Sequence, residues 1–190
     1  MRRFFLVTHR WVGLAAAIVL TIAGLTGLVL VWSRSPGLEQ FHTHLALDEF
    51  GEWLVNGSAI AFVFLALGGF VLWWRRKILA VRGGKGWWRL LFDLHHALGM
   101  FGAALTLLIA ISGIGIMMNE DDESEGARSA AQIEASRESL EKTVWFRLHT
   151  AREYPAPLQI LWAAGSLSFV VQAFSGFLMW WKPQKASVAD

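Results

Sequence analysis

Read for apolar and polar positions, the chain alternates four long apolar runs with polar links. The runs cover roughly Trp11 to Trp32, Trp53 to Trp74, Ala97 to Met118 and Pro157 to Trp181. Each is long enough to cross a hydrocarbon core, which takes about 20 residues of helix. None alternates with the period of two that a β-barrel strand needs, so membrane helices are expected instead. The expected fold class is an all-α membrane protein, a four-transmembrane-helix bundle. Between the second and third runs, Gly83-Gly84-Lys85-Gly86 predicts a turn. Trp87-Trp88-Arg89-Leu90-Leu91-Phe92 then predicts an amphipathic piece lying on the membrane surface.

The runs are related in pairs. His9-Arg-Trp-Val-Gly13, closing on Leu25-Thr26-Gly27, recurs 86 residues later as His95-His-Ala-Leu-Gly99, closing on Ile111-Ser112-Gly113. Gly69-Phe70 and Trp73-Trp74 recur at an offset of 107 as Gly176-Phe177 and Trp180-Trp181, and the same offset lays His149-Thr150 on His42-Thr43. The chain thus reads as a tandem duplication of a two-helix unit in parallel topology. Residues 1–80 form the first repeat, 81–92 a cytoplasmic interfacial link, and 93–190 the second repeat with an acidic outer loop at 119–146. Within that loop the acidic stretch Glu120 to Glu125 leads into a short polar helix expected over Ala130 to Thr143. It lacks the spacing and glycine of a calcium-binding EF-hand loop.

Composition agrees with a membrane class: 55% of the 190 residues are hydrophobic and the mean hydropathy is +0.43, too apolar for an ordinary soluble domain. The net charge of +2 hides a segregation. The N-terminal segment, the link from Arg75 to His96 and the tail from Lys182 carry 11 of the 17 Lys/Arg residues, against Asp93 and Asp190. The other two links hold the remaining 6 basic and 13 acidic residues. By the positive-inside rule both termini and the middle link are cytoplasmic. The expected location is a bacterial inner membrane, spanned several times, the first helix being an uncleaved span and not a signal peptide. Most of the 11 Trp residues sit where the runs end, as an anchoring belt does. No nucleic-acid partner is expected, and a homo-oligomer is compatible with the pattern.

There is no cysteine. Thiolate iron–sulfur sites, disulfides and covalent haem attachment are therefore excluded, and histidine is left as the strong metal ligand. A parallel repeat carries a pseudo-two-fold axis along the membrane normal, so matched residues face each other across it. His9 and His95 fall at one end of the bundle, His42 and His149 at the other. Gly13 and Gly99 follow their histidines by four residues, Gly27 and Gly113 by eighteen, which is five turns and the same helix face. Five turns rise about 27 Å, bringing Gly27 and Gly113 level with the second histidine pair. A face without side chains leaves room for a flat macrocycle. The expectation is two b-type haems with His9, His95, His42 and His149 as axial ligands, and Gly13, Gly99, Gly27 and Gly113 lining the slots. A lone interfacial histidine is ordinarily only a tolerated amphipathic residue, and glycines also serve close helix packing; four histidines in matched register favour ligation.

His44 and His96 have Ala151 and Arg10 at their matching positions. They stand as substitutes for His42 and His95 should the helix phase differ. A zinc or copper clip on His42-Thr-His44 would be incomplete with two ligands. Arg10, Arg75, Arg76 and Arg89 are topology signals that can also pair with haem propionates.

The phrases His9-Arg-Trp-Val-Gly13, Leu25-Thr26-Gly27, Asp93-Leu-His95, Leu148-His149-Thr150 and Gly176-Phe-Leu-Met-Trp-Trp-Lys182 resemble the PepSY-associated transmembrane proteins, a family that includes inner-membrane reductases of ferric siderophores. The resemblance covers nearly all of the helical part. It implies a bis-histidine, di-haem membrane protein passing electrons to iron chelates, the family's histidines falling on His9, His95, His42 and His149. Larger members carry PepSY domains between helices, whereas both outer links here are short. No dinucleotide fingerprint is present. Electrons are expected from quinol, free reduced flavin or a separate reductase, and the acceptor is a ferric chelate or a redox partner. The alternative is a cofactor-free membrane subunit or assembly protein whose acidic link docks a partner.

Overall fold

The computed structural model describes residues 2–74, 81, 86–121, 139 and 143–181. These fold into α1 (Arg2–Leu30), α2 (Pro36–His44), α3 (Asp48–Trp74), α4 (Trp87–Phe101), α5 (Ala103–Asp121), α6 (Val144–Thr150) and α7 (Ala156–Trp181). Helices α1, α3 and α7 are each long and apolar enough to cross a membrane, and α4 with α5, bent by 64°, is a fourth candidate span, so the described residues hold three to four. The protein is a multi-pass α-helical membrane protein. The Gly83–Lys85 part of the expected turn, Arg75, Arg76, most of the acidic stretch, nearly all of the expected helix from Ala130, and the tail from Lys182 lie outside the described residues.

The interior combines small and hydroxyl-bearing residues with a few large apolar ones such as Phe62, Trp162 and Phe169, while many other bulky apolar side chains point outward. Ala16, Ala17, Thr26, Ser58, Thr106, Ser112, Ser166 and Ser175 are buried. Ile18 and Phe64 are 71% and 68% exposed in mid-helix. That is how a bundle in lipid is arranged: tails solvate the large side chains, and small residues let backbones approach. Thr26, Thr106, Ser112 and Ser175 each donate their hydroxyl proton to a carbonyl three or four residues back. These four hydroxyl donors are thereby satisfied in hydrocarbon. Helix α1 packs along α7 and α3, α3 along α5, and α4 along α7. Phe62 and Phe169 meet at mid-bundle with ring centroids 4.3 Å apart.

The third span differs from an unbroken helix. It starts at Trp87, so the piece expected on the membrane surface forms the first turns of α4, and it breaks at Gly102. A Cβ there would come 2.6 Å from the Leu98 carbonyl oxygen and 2.9 Å from Ser168 Oγ. The absent side chain lets α7 press into the bend.

The short helices α2 and α6 are made alike. Ser35 Oγ accepts from Leu38 N–H at 3.4 Å with Pro36 in the first turn, and Thr143 Oγ1 accepts from Phe146 N–H at 3.2 Å. Each ends on a left-handed residue, Leu45 (φ 54°) and Ala151 (φ 53°). Arg152 ties this end of the bundle together. Its guanidinium pairs with Glu39 Oε1 at 2.5 Å and donates to the Leu30 and Ser33 carbonyls at 3.4 and 3.3 Å.

Candidate functional site

Two pairs of histidines are brought together, one at each end of the bundle. At the proximal end, which holds the chain's N-terminus, His9 of α1 and His95 of α4 face each other with ring centroids 6.3 Å apart and planes at 88°. At the distal end His42 of α2 and His149 of α6 stand 6.1 Å apart with planes at 51°. Each pair joins one residue from each half of the chain.

The proximal rings line a cavity of about 440 Å³, within the size range of small-molecule and cofactor sites. Gly13, Gly69, Gly99 and Gly176 form part of its wall. A Cβ at Gly69 would lie 3.4 Å from His9 Cε1, and one at Gly176 would lie 3.4 Å from His95 Cε1. At the distal end the corresponding distances are 3.5 Å from Gly27 to His42 Cε1 and 3.0 Å from Gly113 to His149 Cε1. Every ring thus brings its Cε1 against a glycine of a neighbouring helix.

The hydrogen bonds define the protonation of the rings. Thr26 Oγ1 gives its proton to the Ile22 carbonyl at 2.8 Å, so across the 2.6 Å contact it accepts from His42 Nδ1–H. Ser175 Oγ donates to the Gln172 carbonyl at 3.2 Å and accepts from His95 Nδ1–H at 2.9 Å. His149 Nδ1–H donates to the Ile109 carbonyl at 2.9 Å, with Ser112 Oγ 3.4 Å away. A carbonyl only accepts, so this tautomer too carries its proton on Nδ1. His9 is buried beside the Leu65 carbonyl, as His95 is beside that of Gln172. Among the described residues no hydrogen bond occupies an Nε2 of the four rings.

Burial pushes the His42 pKa down to about 4, with His149 beside it acting in the same direction. Burial also lowers that of His149; the Arg152 charge adds to the shift and the Ile109 carbonyl opposes it. Both rings are neutral at pH 7 and keep a lone pair on Nε2, the form in which imidazole ligates metals.

The other histidines sit differently. His44 faces Glu52 (Nε2 to Oε2 3.8 Å) and contacts Thr43 Oγ1 through Nδ1 at 2.7 Å. His96 lines the proximal cavity, its Nδ1 on the Phe92 carbonyl at 2.8 Å and its ring 4.1 Å from that of Phe92. Arg10 also lines the cavity. Arg89 is paired with the buried Asp93 at 3.3 Å. Among the described residues no cluster of three or more His, Asp or Glu forms a self-sufficient metal site.

The family model described as the PepSY-associated TM region matches residues 37–144, more than half of the chain. The chain belongs to this family. No curated protein and no solved structure matches it. The PepSY-associated region as matched contains His42, His95, Gly99 and Gly113, and stops just short of His149.

Sequence reasoning singled out the histidines, Gly13, Gly99, Gly27 and Gly113 but missed Thr26, Ser112 and Ser175 as anchors, and Gly69 and Gly176 as ring floors. Their signal was present in this PepSY-associated chain. A hydroxyl precedes Gly27, Gly113 and Gly176, and Gly69-Phe70 recurs as Gly176-Phe177.

Proposed function

We propose that the protein is a transmembrane electron carrier holding two b-type haems, one between His9 and His95 and one between His42 and His149. The observation that carries this reading is the ring separation. An imidazole of bonds about 1.35 Å long places its nitrogen roughly 1.1 Å from the ring centre. Nitrogen lies about 2.0–2.1 Å from a first-row metal. A metal gripped end-on by two imidazoles therefore parts their centroids by roughly 6.3 Å, against 6.3 and 6.1 Å here.

Three further features support the fit. Nδ1 is pinned in His42, His95 and His149, the outer hydrogen bond that ligating histidines usually make. Two imidazoles are too few for a bare ion, and a porphyrin supplies the four nitrogens that are missing. The glycines let each ring approach the backbone of a neighbouring helix. When bound, the haem iron supplies one-electron chemistry. The chain supplies neutral ligands, a water-poor surround and a fixed spacing.

The matched positions follow from a tandem duplication of a two-helix unit. The segregated charges favour both termini in the cytoplasm of a bacterial inner-membrane host. Electrons then pass from a cytoplasmic-side donor (quinol, reduced flavin or a separate reductase) to the proximal pair, and from the distal pair to a periplasmic acceptor. The resemblance to siderophore reductases makes a ferric chelate the first acceptor to test, ahead of a protein redox partner.

Protein purified in mild detergent from haem-replete cells is expected to show a Soret band and, by pyridine haemochrome, about two haems per chain. Alanine at His9 or His95 is expected to remove the six-coordinate spectrum of one centre, and alanine at His42 or His149 that of the other. A colourless preparation would instead favour a cofactor-free membrane subunit. Full haem content in all four variants would refute the ligand assignment.

A further inference from the structure

Tryptophan occurs as an adjacent pair at three helix ends on the proximal side, Trp73-Trp74, Trp87-Trp88 and Trp180-Trp181. Neighbours on a helix point about 100° apart, so the two indoles of a pair meet different surroundings. Trp74, Trp87 and Trp181 are 58%, 60% and 68% exposed, as anchors at the headgroup level are. Their partners Trp73, Trp88 and Trp180 line the proximal cavity. An anchoring belt accounts for the first three and leaves the second three unexplained.

The inner indoles stand at the outer end of that cavity. Trp73 and Trp180, matched by the 107-residue offset, lie four residues beyond Gly69 and Gly176. That is about 6 Å nearer the membrane surface than the imidazoles those glycines touch. Trp88 lies seven residues before His95, about 10 Å out on the same side. Two of the three are braced: Trp180 packs edge-on against Trp11 with ring centroids 6.0 Å apart, and Trp73 stands 6.1 Å from Phe70. Leu6 and Phe70, inside the spans of α1 and α3, line the same cavity and are each 43% exposed, so it opens sideways toward lipid. Arg10 is the one residue of fixed charge among its described lining.

Resting on the electron-carrier reading above, we propose that this outer end docks the donor, and that the donor is a membrane quinol, a flat uncharged ring on an apolar tail. The ring packs among Trp73, Trp88 and Trp180 in the offset or edge-on contacts that aromatic groups prefer. Arg10 donates a hydrogen bond to a ring oxygen. The tail leaves past Leu6 and Phe70 into lipid. Reduced flavin has a similar ring, but its polar side chain would have to lie in the same apolar opening, at a cost in lost hydration.

The full chain in liposomes, photolabelled with an azidoquinone, is expected to carry label on the peptides that hold Trp73, Trp88 and Trp180. Excess decylubiquinone is expected to remove the label and flavin mononucleotide to leave it. Neighbouring variants separate a site from a belt. Trp73→Leu and Trp180→Leu are each expected to weaken decylubiquinone binding about fivefold, whereas Trp74→Leu and Trp181→Leu leave it unchanged. Should an inner variant fail to accumulate, the labelling of the unaltered chain decides. The docking site is overturned if label spreads over outward residues such as Phe64 and Phe174, if flavin mononucleotide displaces it, or if inner and outer variants bind alike. Quinone binding and haem content are read independently. A colourless preparation that still labels at the three indoles keeps the quinone site and refutes the carrier reading. A two-haem preparation that takes no label there overturns the quinone site alone.

Discussion

At the residue scale, a serine or threonine whose proton is already committed to its own helix is a pure acceptor, and that decides which nitrogen of a neighbouring imidazole keeps its proton. Thr26 does this for His42 and Ser175 for His95. The consequence is local and measurable. Thr26→Val keeps the shape but removes the acceptor, leaving His42 Nδ1–H buried and unpaired. Distal haem retention is expected to weaken by about 1–2 kcal/mol, seen as faster haem loss to an apoglobin acceptor. Thr26→Ser is expected to restore it. If valine and threonine retain haem equally, the hydrogen bond does not position the ring.

At the element scale, two devices hold the rings in place. The first is the capped pair α2 and α6, locked to the end of α1 by Arg152, whose side chain is 12% exposed and reaches Glu39, Leu30 and Ser33. Removing one partner of a largely buried ion pair is expensive because it strips the other charge of its counter-ion. Arg152→Ala is therefore expected to lower stability by about 3 kcal/mol and to release the distal haem before the proximal one on heating in detergent. The second device is the 64° bend between α4 and α5. Gly102→Leu would push side-chain atoms into the Leu98 carbonyl and Ser168. It is expected to cost about 1–3 kcal/mol as an overpacked contact, read as a lower unfolding temperature. An unchanged transition would mean that α7 can move away from the bend without penalty.

At the scale of the whole molecule, the orientation proposed above rests on the segregation of charge, while packing brings the histidine pairs together. Because the chain has no cysteine, single introduced thiols report sidedness without background. Arg3 and Glu49 are both exposed and lie at opposite ends of the bundle. In intact cells an impermeant maleimide is expected to label Glu49→Cys and to leave Arg3→Cys untouched until the cells are opened. The reverse pattern would place the distal pair in the cytoplasm and invert the direction of electron flow proposed here.

Much of the architecture was legible in the linear chain, because in lipid a long apolar run has almost no alternative to a helix. Four runs, a segregation of charge and a recurrence of His9-to-Gly13 at His95-to-Gly99 follow from composition and order alone. So does the opposition of His9 to His95 and of His42 to His149, given the symmetry a parallel repeat implies. The break at Gly102 was not legible, since a glycine in an apolar run packs closely far more often than it bends a helix. Nor were Gly69 and Gly176 as floors beneath His9 and His95: periodicity tells which residues share a face, but not which neighbouring helix that face will meet. Sequence by itself determined the spans, their sidedness signals and the residues able to bind metal. Only the tertiary structure decided how helices turned about their own axes, and with that which hydroxyl, carbonyl or glycine each imidazole met.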